Sequence, residues 1–315
     1  MITSIPASRE NKIAMHRVRL APLFLALCTP FMAWAIDLQP NDIVAPPPDK
    51  NLITISYLNT ENSTLYRNGS VGNVAPTRLY KNPVIDTQSA ILRGARTYSL
   101  GDLPAVSYIQ LPYGTVRPAG SLSTLSSDNG IGDLTIATAI WPYADKANRT
   151  YVGIAGYLIS PTGSYSGQKV FNLSENRFRT DLQIGFQTPI SERIDGMVAV
   201  DTMWFGGNSQ CAAACTGNTT NASLMQKPLT TTQLGPIWQI NQTFTVGASY
   251  FYVTGGATSI NNYYQNNVVN TQRFLLSSQA HTAIGRISLQ YGRDMEIKNG
   301  FIQTRVLALR LMKDF

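Results

Sequence analysis

Along residues 177–187 apolar and polar side chains alternate one by one, with Phe178, Leu182, Ile184 and Phe186 on one side and Arg177, Arg179, Asp181, Gln183 and Gln187 on the other. A period of two belongs to an extended strand, whose successive side chains point to opposite faces. The pattern recurs in Phe244, Val246, Ala248, Tyr250 and Tyr252 against Thr243, Thr245, Gly247 and Ser249. It recurs again in Phe274, Leu276 and Ala280 against Arg273, Ser277, Gln279 and His281. One face of each segment suits hydrocarbon and the other suits water. A membrane-crossing helix needs about 20 consecutive apolar residues, and no segment after Ala35 supplies them. A chain patterned in this way crosses a membrane as a closed barrel, where every backbone group finds a partner in a neighbouring strand.

The expected architecture is all-β: a transmembrane, antiparallel, up-and-down β-barrel of about twelve strands over residues 50–315. Strands are expected near 50–65, 84–99, 104–116, 131–142, 150–161, 176–189, 195–206, 226–239, 243–255, 271–283, 286–296 and 301–315. Short connections, such as Gly101-Asp102-Leu103 and Asn241-Gln242, alternate strictly with long ones, such as Tyr66 to Pro83 and Gly207 to Met225. With the N-terminus in the periplasm, every short connection is periplasmic and the long ones are extracellular, the asymmetry of bacterial outer-membrane barrels. A soluble sandwich has no reason to keep that parity.

Residues 1–35 read as a secretory leader. Arg9, Lys12, Arg17 and Arg19 precede an apolar stretch from Leu20 to Met32, and the triplet Ala33-Trp34-Ala35 predicts cleavage after Ala35. Translation from Met1 or from Met15 serves export equally. Losing the leader removes four of the 25 basic and one of the 18 acidic residues and leaves the mature chain at +4, so nothing in the charge calls for nucleic acid. Residues 36–49, with the run VAPPPD, read as a periplasmic linker.

The last strand puts Leu307, Leu309, Leu311 and the terminal Phe315 on one face. A closing aromatic on such a strand resembles the signal read by outer-membrane assembly machinery. Arg305 shares that face and is expected to snorkel at the outer rim. Tyr57, Tyr113, Trp141, Tyr143, Tyr157, Trp204 and Trp238 are expected in interfacial girdles. Arg177, Arg179, Asp181, Gln183, Gln187, Asp201, Arg273, Gln279, His281 and Arg310 are the candidate lumen-lining residues. An inward arginine avoids the roughly 2–4 kcal/mol that the lipid face would exact at the midplane. These groups either line a permeation path or form a polar network that fills a small barrel. Cys211 and Cys215 fall in a predicted extracellular loop, where a disulfide stapling the loop is the natural reading and thiol metal binding the weaker one. With His281 the only histidine after the leader, and no Gly-x-Ser-x-Gly elbow, the chain is not expected to be an enzyme or to carry a cofactor or metal.

Four short motifs carry a family likeness: Gly130-Ile131-Gly132-Asp133-Leu134, Gly101-Asp102-Leu103-Pro104, Leu158-Ile159-Ser160-Pro161-Thr162-Gly163 and Gln187-Thr188-Pro189-Ile190-Ser191. Together they resemble the outer-membrane proteins grouped under the MetA pathway of phenol degradation, often described simply as transporters. The resemblance implies a bacterial outer-membrane barrel linked to catabolism of aromatic or other hydrophobic compounds, with a role in their uptake. Asp133 is expected to cap a turn or accept hydrogen bonds from loop amides. Gly132 is expected where the backbone needs positive φ or close approach.

The functional expectation is a passive channel for a small aromatic or hydrophobic solute. Its partners would be outer-membrane lipid, the assembly machinery and the solute itself. The alternative is a structural or surface-interaction barrel, its lumen closed and its extracellular loops binding a partner.

Overall fold

A computed structural model describes residues 37–71, 81–216 and 221–315, so residues 1–35, expected as a leader, lie outside the described residues. Twelve long strands form the wall: β1 (Asn51–Arg67), β2 (Pro83–Leu100), β3 (Leu103–Gly120), β4 (Leu134–Asp145), β5 (Thr150–Ser160), β6 (Arg179–Pro189), β7 (Ile194–Phe205), β8 (Leu229–Gln239), β9 (Phe244–Gly255), β10 (Val269–Thr282), β11 (Gly285–Ile297) and β12 (Gly300–Asp314). Each pairs antiparallel with its sequence neighbours, and β1 pairs with β12 from Leu52↔Asp314 to Tyr66↔Gly300, which closes the barrel. Every strand lies within a few residues of its expected position. Closure leaves no free edge, the condition for a sheet in hydrocarbon.

The side-chain alternation sorts as the period of two requires. Leu182, Ile184, Leu276, Leu307 and Leu309 are exposed on the outer surface, whereas Gln183, Gln187, Leu275 and Gln279 are buried inside. Tyr57, Tyr113, Tyr143, Trp204 and Trp238 also face outward. Trp141 and Tyr157 do not. Both are buried in the lumen, which corrects their expected place in the girdles. Trp141 and Tyr143 share sequence parity yet face opposite ways because the β4–β5 register breaks between Ile140 and Tyr143. An irregularity of this kind re-aims the side chains beyond it.

The wall is uneven in height. At about 3.3 Å per residue, the 18-residue β2 and β3 run about 59 Å, against about 36 Å for the 11-residue β5 and β6. Into the top of the tall side folds the connection between β5 and β6. Its Phe171 and Leu173 pack with Leu65, Ile85, Val116, Leu122 and Phe301 in an apolar cluster. Asp128 secures this loop by accepting from Lys169 Nζ at 2.6 Å and from the Leu173 amide at 3.0 Å.

Two of the pairings stop short of the full strand length. β3 pairs with β4 only from Ala105↔Ile140 to Gln110↔Thr135, and above that a short strand, Asp128–Ile131, takes over as its partner. β11 pairs with β12 only up to Gly292↔Val306. Beyond it Asp294 Oδ2 accepts the Gln303 amide at 2.7 Å, a side chain standing in for the missing rung.

Candidate functional site

The lumen is occupied by a stretch of chain that precedes the first strand. Residues 37–47, part of the stretch 36–49 expected as a periplasmic linker, run inside the barrel from mid-height towards the periplasmic rim. The physical reason is polar complementarity with the inner wall. Gln233 brackets Leu38, accepting its amide at 3.1 Å and donating to its carbonyl at 2.8 Å. Gln39 Nε2 donates to Gln290 at 2.8 Å, and Asn41 Nδ2 donates to Gln279 at 3.2 Å. Trp141 Nε1 donates to the Ile43 carbonyl at 2.7 Å. Ile43 and Ala45 are buried against Trp141, Tyr151, Met197 and Ile237. At the rim, Thr97 Oγ1 donates to the Pro47 carbonyl at 2.7 Å.

Two aspartates of the segment supply counter-charges for arginines of the wall. Asp37 pairs with Arg273 at 2.6 Å, while Arg273 also lies over the Phe251 ring at 4.1 Å. Asp42 pairs with Arg310 at 3.1 Å and Arg286 at 3.6 Å. Burial dominates at Asp37 and raises its pKa above the ordinary value despite Arg273. At Asp42 burial pushes the same way, but Arg310 and then Arg286, with the Gln39 amide, outweigh it together and hold the carboxyl below its ordinary value.

Beside the segment lies a cavity of 690 Å³. It reaches from His281, Arg149 and Asp314 at the periplasmic end up to Tyr157 and Gln183 in mid-barrel. Aromatic rings give it character: Tyr108 and Tyr157 meet edge-on with centroids 6.3 Å apart, and the Arg93 guanidinium sits 4.2 Å over Tyr108. Trp141 and Tyr151 continue this lining beside Ile43. Apolar surface with a few fixed polar groups is the usual make-up of a small-molecule site.

The extracellular mouth carries a second polar assembly. Asp133 Oδ1 accepts the Gly163 amide at 3.2 Å, and Oδ2 accepts the Glu175 amide at 3.2 Å and Arg179 Nη2 at 3.1 Å. Glu175 accepts from both Arg177 and Arg179. Burial opposes its charge, yet Arg179 and then Arg177 hold its carboxyl below the ordinary value. Arg177 lies 4.6 Å from the Phe205 ring. The glycines of this region allow close approach, since a Cβ on Gly163 would stand 2.6 Å from the Gly132 carbonyl carbon and one on Gly130 2.5 Å from Ser164 Oγ. In this way the loop after β5 is fastened across the bend between β3 and β4.

The candidate lumen residues therefore divide by height. Arg177 and Arg179 belong to the mouth, Arg177 just before β6 rather than within it. Asp181, Gln183, Asp201 and Arg273 lie at mid-barrel, Gln187, Gln279 and Arg310 meet the N-terminal segment, and His281 is exposed near the periplasmic rim. Cys211 and Cys215 are joined in a disulfide, with a short helix (Ala212–Thr216) between β7 and β8. Phe315 is exposed at the base of the wall, its backbone paired with Asn51. The sequence reading missed Tyr108, Tyr151 and the inward turn of Trp141. The alternation on β5, where Tyr151, Ala155, Tyr157 and Ile159 share a parity, was available to find two of the rings.

A closed twelve-stranded antiparallel barrel with an amphipathic wall defines a bacterial outer-membrane protein. Residues 68–311 match the family described as "Putative MetA-pathway of phenol degradation", and the chain belongs to that family. Among solved structures it is similar to the COG4313 outer membrane channel from Pseudomonas putida F1, with a TM-score of 0.81 and 24% identity over 89% of this chain and 100% of that one. A Pseudomonas aeruginosa FadL homologue (TM-score 0.41, 11% identity, 88% and 95% covered) and the translocator domain of the autotransporter NalP from Neisseria meningitidis (0.44, 9%, 87% and 91%) are more distant. No curated protein matches the chain.

Proposed function

We propose that this barrel is a passive outer-membrane channel for a small apolar or aromatic solute, with residues 37–47 as the element that must shift to let it through. The observation that carries the reading is the cavity lined by Tyr108, Trp141, Tyr151 and Tyr157, bounded on one side by a segment tied to the wall without covalent bonds. Flat aromatic faces accept an apolar ring at offset-stacked or edge-on geometry, and Arg93 over Tyr108 shows that the same surface tolerates charge at its border. Membership of a family named for phenol degradation supports this solute class. The chemistry is non-covalent: the solute exchanges contacts with lipid or loop for contacts with rings, and no residue needs to change protonation for it to pass.

A second reading, a closed barrel with a structural or surface-binding role, draws on the filled mouth, where Phe171 and Leu173 are buried beneath the rim. Liposomes containing the purified barrel decide between the two. The channel reading expects influx of a labelled phenol-sized aromatic well above protein-free vesicles, competed by unlabelled aromatics and not by a sugar of similar size. Influx equal to that of empty vesicles, from barrels shown to be folded, supports the closed reading instead. Growth on aromatic carbon sources with and without the protein then narrows the solute.

A further inference from the structure

In the lower lumen three guanidinium groups share one carboxylate. Arg286 of β11, Arg310 of β12 and Arg93 of β2 stand on strands gathered around β1: Arg310 lies opposite Ser56, Arg93 lies opposite Thr54, and Arg286 lies opposite Met312, two residues beyond Arg310. All three line the cavity beside the N-terminal segment, and Arg93 and Arg286 both bear electrostatically on Arg310. Asp42 serves two of them, Arg310 at 3.1 Å and Arg286 at 3.6 Å. Arg93 has no ion pair among the described residues; its Nε and Nη2 both donate to the neutral Gln110 side chain, at 2.9 and 2.7 Å. Three cations thus stand against a single counter-charge.

The other acids nearby do not make up the difference. Asp37 is engaged by Arg273 at 2.6 Å and Asp195 by Arg149 at 3.3 Å. Asp314 belongs to the periplasmic rim, and Asp181 and Asp201 are not part of the cavity lining. Water can meet the spare donors, but it does not neutralise clustered cations whose side chains are as withdrawn from solvent as Arg310 (12% exposed) and Arg286 (17%), and such a group gains most from an anion. Arg310 has donors to offer, since among the described residues only its Nη1 is engaged, by the two oxygens of Asp42. Arg93 keeps Nη1 available in the same way. A guanidinium carries five N–H groups in a planar fork that fits a carboxylate.

The apolar side of the site is fixed by what Arg93 rests on. Its guanidinium lies 4.2 Å over the Tyr108 ring, and Tyr108 meets Tyr157 with centroids 6.3 Å apart. A ring seated beside those two tyrosines has cations at its edge. A neutral aromatic meets only half of this arrangement, whereas an aromatic bearing an anionic group meets both halves. We infer that the cavity selects aromatic monocarboxylates, with the ring beside Tyr108 and Tyr157 and the carboxylate on Arg93 and Arg310, where it shares the cations with Asp42. The inference rests on the channel reading and deepens it, since it names the solute as an organic anion rather than a neutral hydrocarbon.

The test uses the whole barrel purified from outer membranes in non-ionic detergent, and two probes of nearly equal size: benzoate, which is ionised at about pH 7.5, and benzyl alcohol, which is neutral. Equilibrium dialysis of the radiolabelled compounds against protein and against protein-free micelles reads binding directly. Benzoate is expected to bind saturably and about tenfold or more tightly than benzyl alcohol, the scale of a hydrogen bond to a charged group. Arg93→Gln is expected to remove most of that preference while shifting benzyl alcohol affinity less than about twofold. Asp42→Asn, which takes away the competing carboxylate, is expected to widen the preference, a gain that a misfolded barrel does not produce. Heat-modifiable gel mobility checks that both variants fold. Equal affinity for the two probes, or a preference that neither variant alters, overturns the anion inference and leaves the channel reading standing. Saturable binding of neither probe takes away the aromatic site and overturns both.

Discussion

Asp42→Asn isolates the electrostatic part of what keeps the N-terminal segment in place. The native carboxylate is 17% exposed, lies 3.1 Å from Arg310 and 3.6 Å from Arg286, and accepts the Gln39 amide at 3.0 Å. Asparagine keeps the shape and one acceptor oxygen, so the Gln39 contact survives while both ion pairs are lost. Removing one partner of a hydrogen-bonded charge pair costs about 2–5 kcal/mol. The partial exposure of all three side chains places this case near the low end, about 2–3 kcal/mol. At about 1.4 kcal/mol per tenfold, the ratio of seated to unseated segment falls about thirty- to a hundred-fold. In a Val44→Cys background, the rate of maleimide labelling in the folded, detergent-solubilised barrel follows the unseated fraction, and Asp42→Asn is expected to raise it by that factor. In planar bilayers the same variant is expected to open more often than the parent. Adding Arg310→Gln to Asp42→Asn removes the nearer of the two stranded cations and is expected to recover part of the loss, the signature of a direct pair. Labelling within twofold of the parent would refute the view that these charges seat the segment.

The pH dependence follows from the same carboxylate. Because its seated pKa is depressed, its contribution is fully present above the unseated value, ordinarily 3.8, and is lost as pH falls through the lower seated value. The difference in labelling rate between parent and Asp42→Asn is therefore expected to be constant above about pH 5 and to shrink below about pH 4, and a difference that shrinks towards neutral pH instead contradicts the assignment. Gly163→Ala forces a Cβ to within 2.6 Å of the Gly132 backbone and is expected to lower barrel stability by about 1–3 kcal/mol, read as the temperature at which gel mobility shifts. Gly156→Ala, with nothing within 4 Å of the added atom, is the matched control and should be silent. Asp294→Ala strips the Gln303 amide of its acceptor and is expected to cost about 1–3 kcal/mol; urea titration of the folded fraction in lipid vesicles checks it, and an unchanged midpoint would show that water replaces the carboxylate freely.

Most of the wall was legible because its cause is local. A strand with lipid on one side and a wet lumen on the other writes itself into the sequence every second residue, and Leu182, Ile184 and Leu276 occupy the outer face for that reason. Connections are legible through their length, which reports the side of the membrane. The lumen was less so, because its filling depends on pairs far apart in sequence. One trace was present: among the candidate lumen residues four arginines faced only two aspartates, and part of the balance, Asp37 and Asp42, lay in a stretch whose prolines read as a linker. The reversal between Trp141 and Tyr143 could not be read from spacing, because a register break leaves no fixed mark in composition. Asp133 illustrates the middle case: its type and position pointed to loop amides, while its second partner, Arg179, is 46 residues away.

The closure of β1 against β12 sets an order on assembly. Residues 37–47 are made before any strand of the wall and β12 after all the others, yet that early stretch ends up encircled by a ring that the last-made strand completes. Until that final hairpin docks, the acids and amides of the early stretch have only part of their eventual cage, because Gln279 on β10, Arg286 and Gln290 on β11, and Arg310 on β12 all come from the C-terminal quarter. A nascent barrel that seals before residues 37–47 are in place has to admit them afterwards through the periplasmic opening.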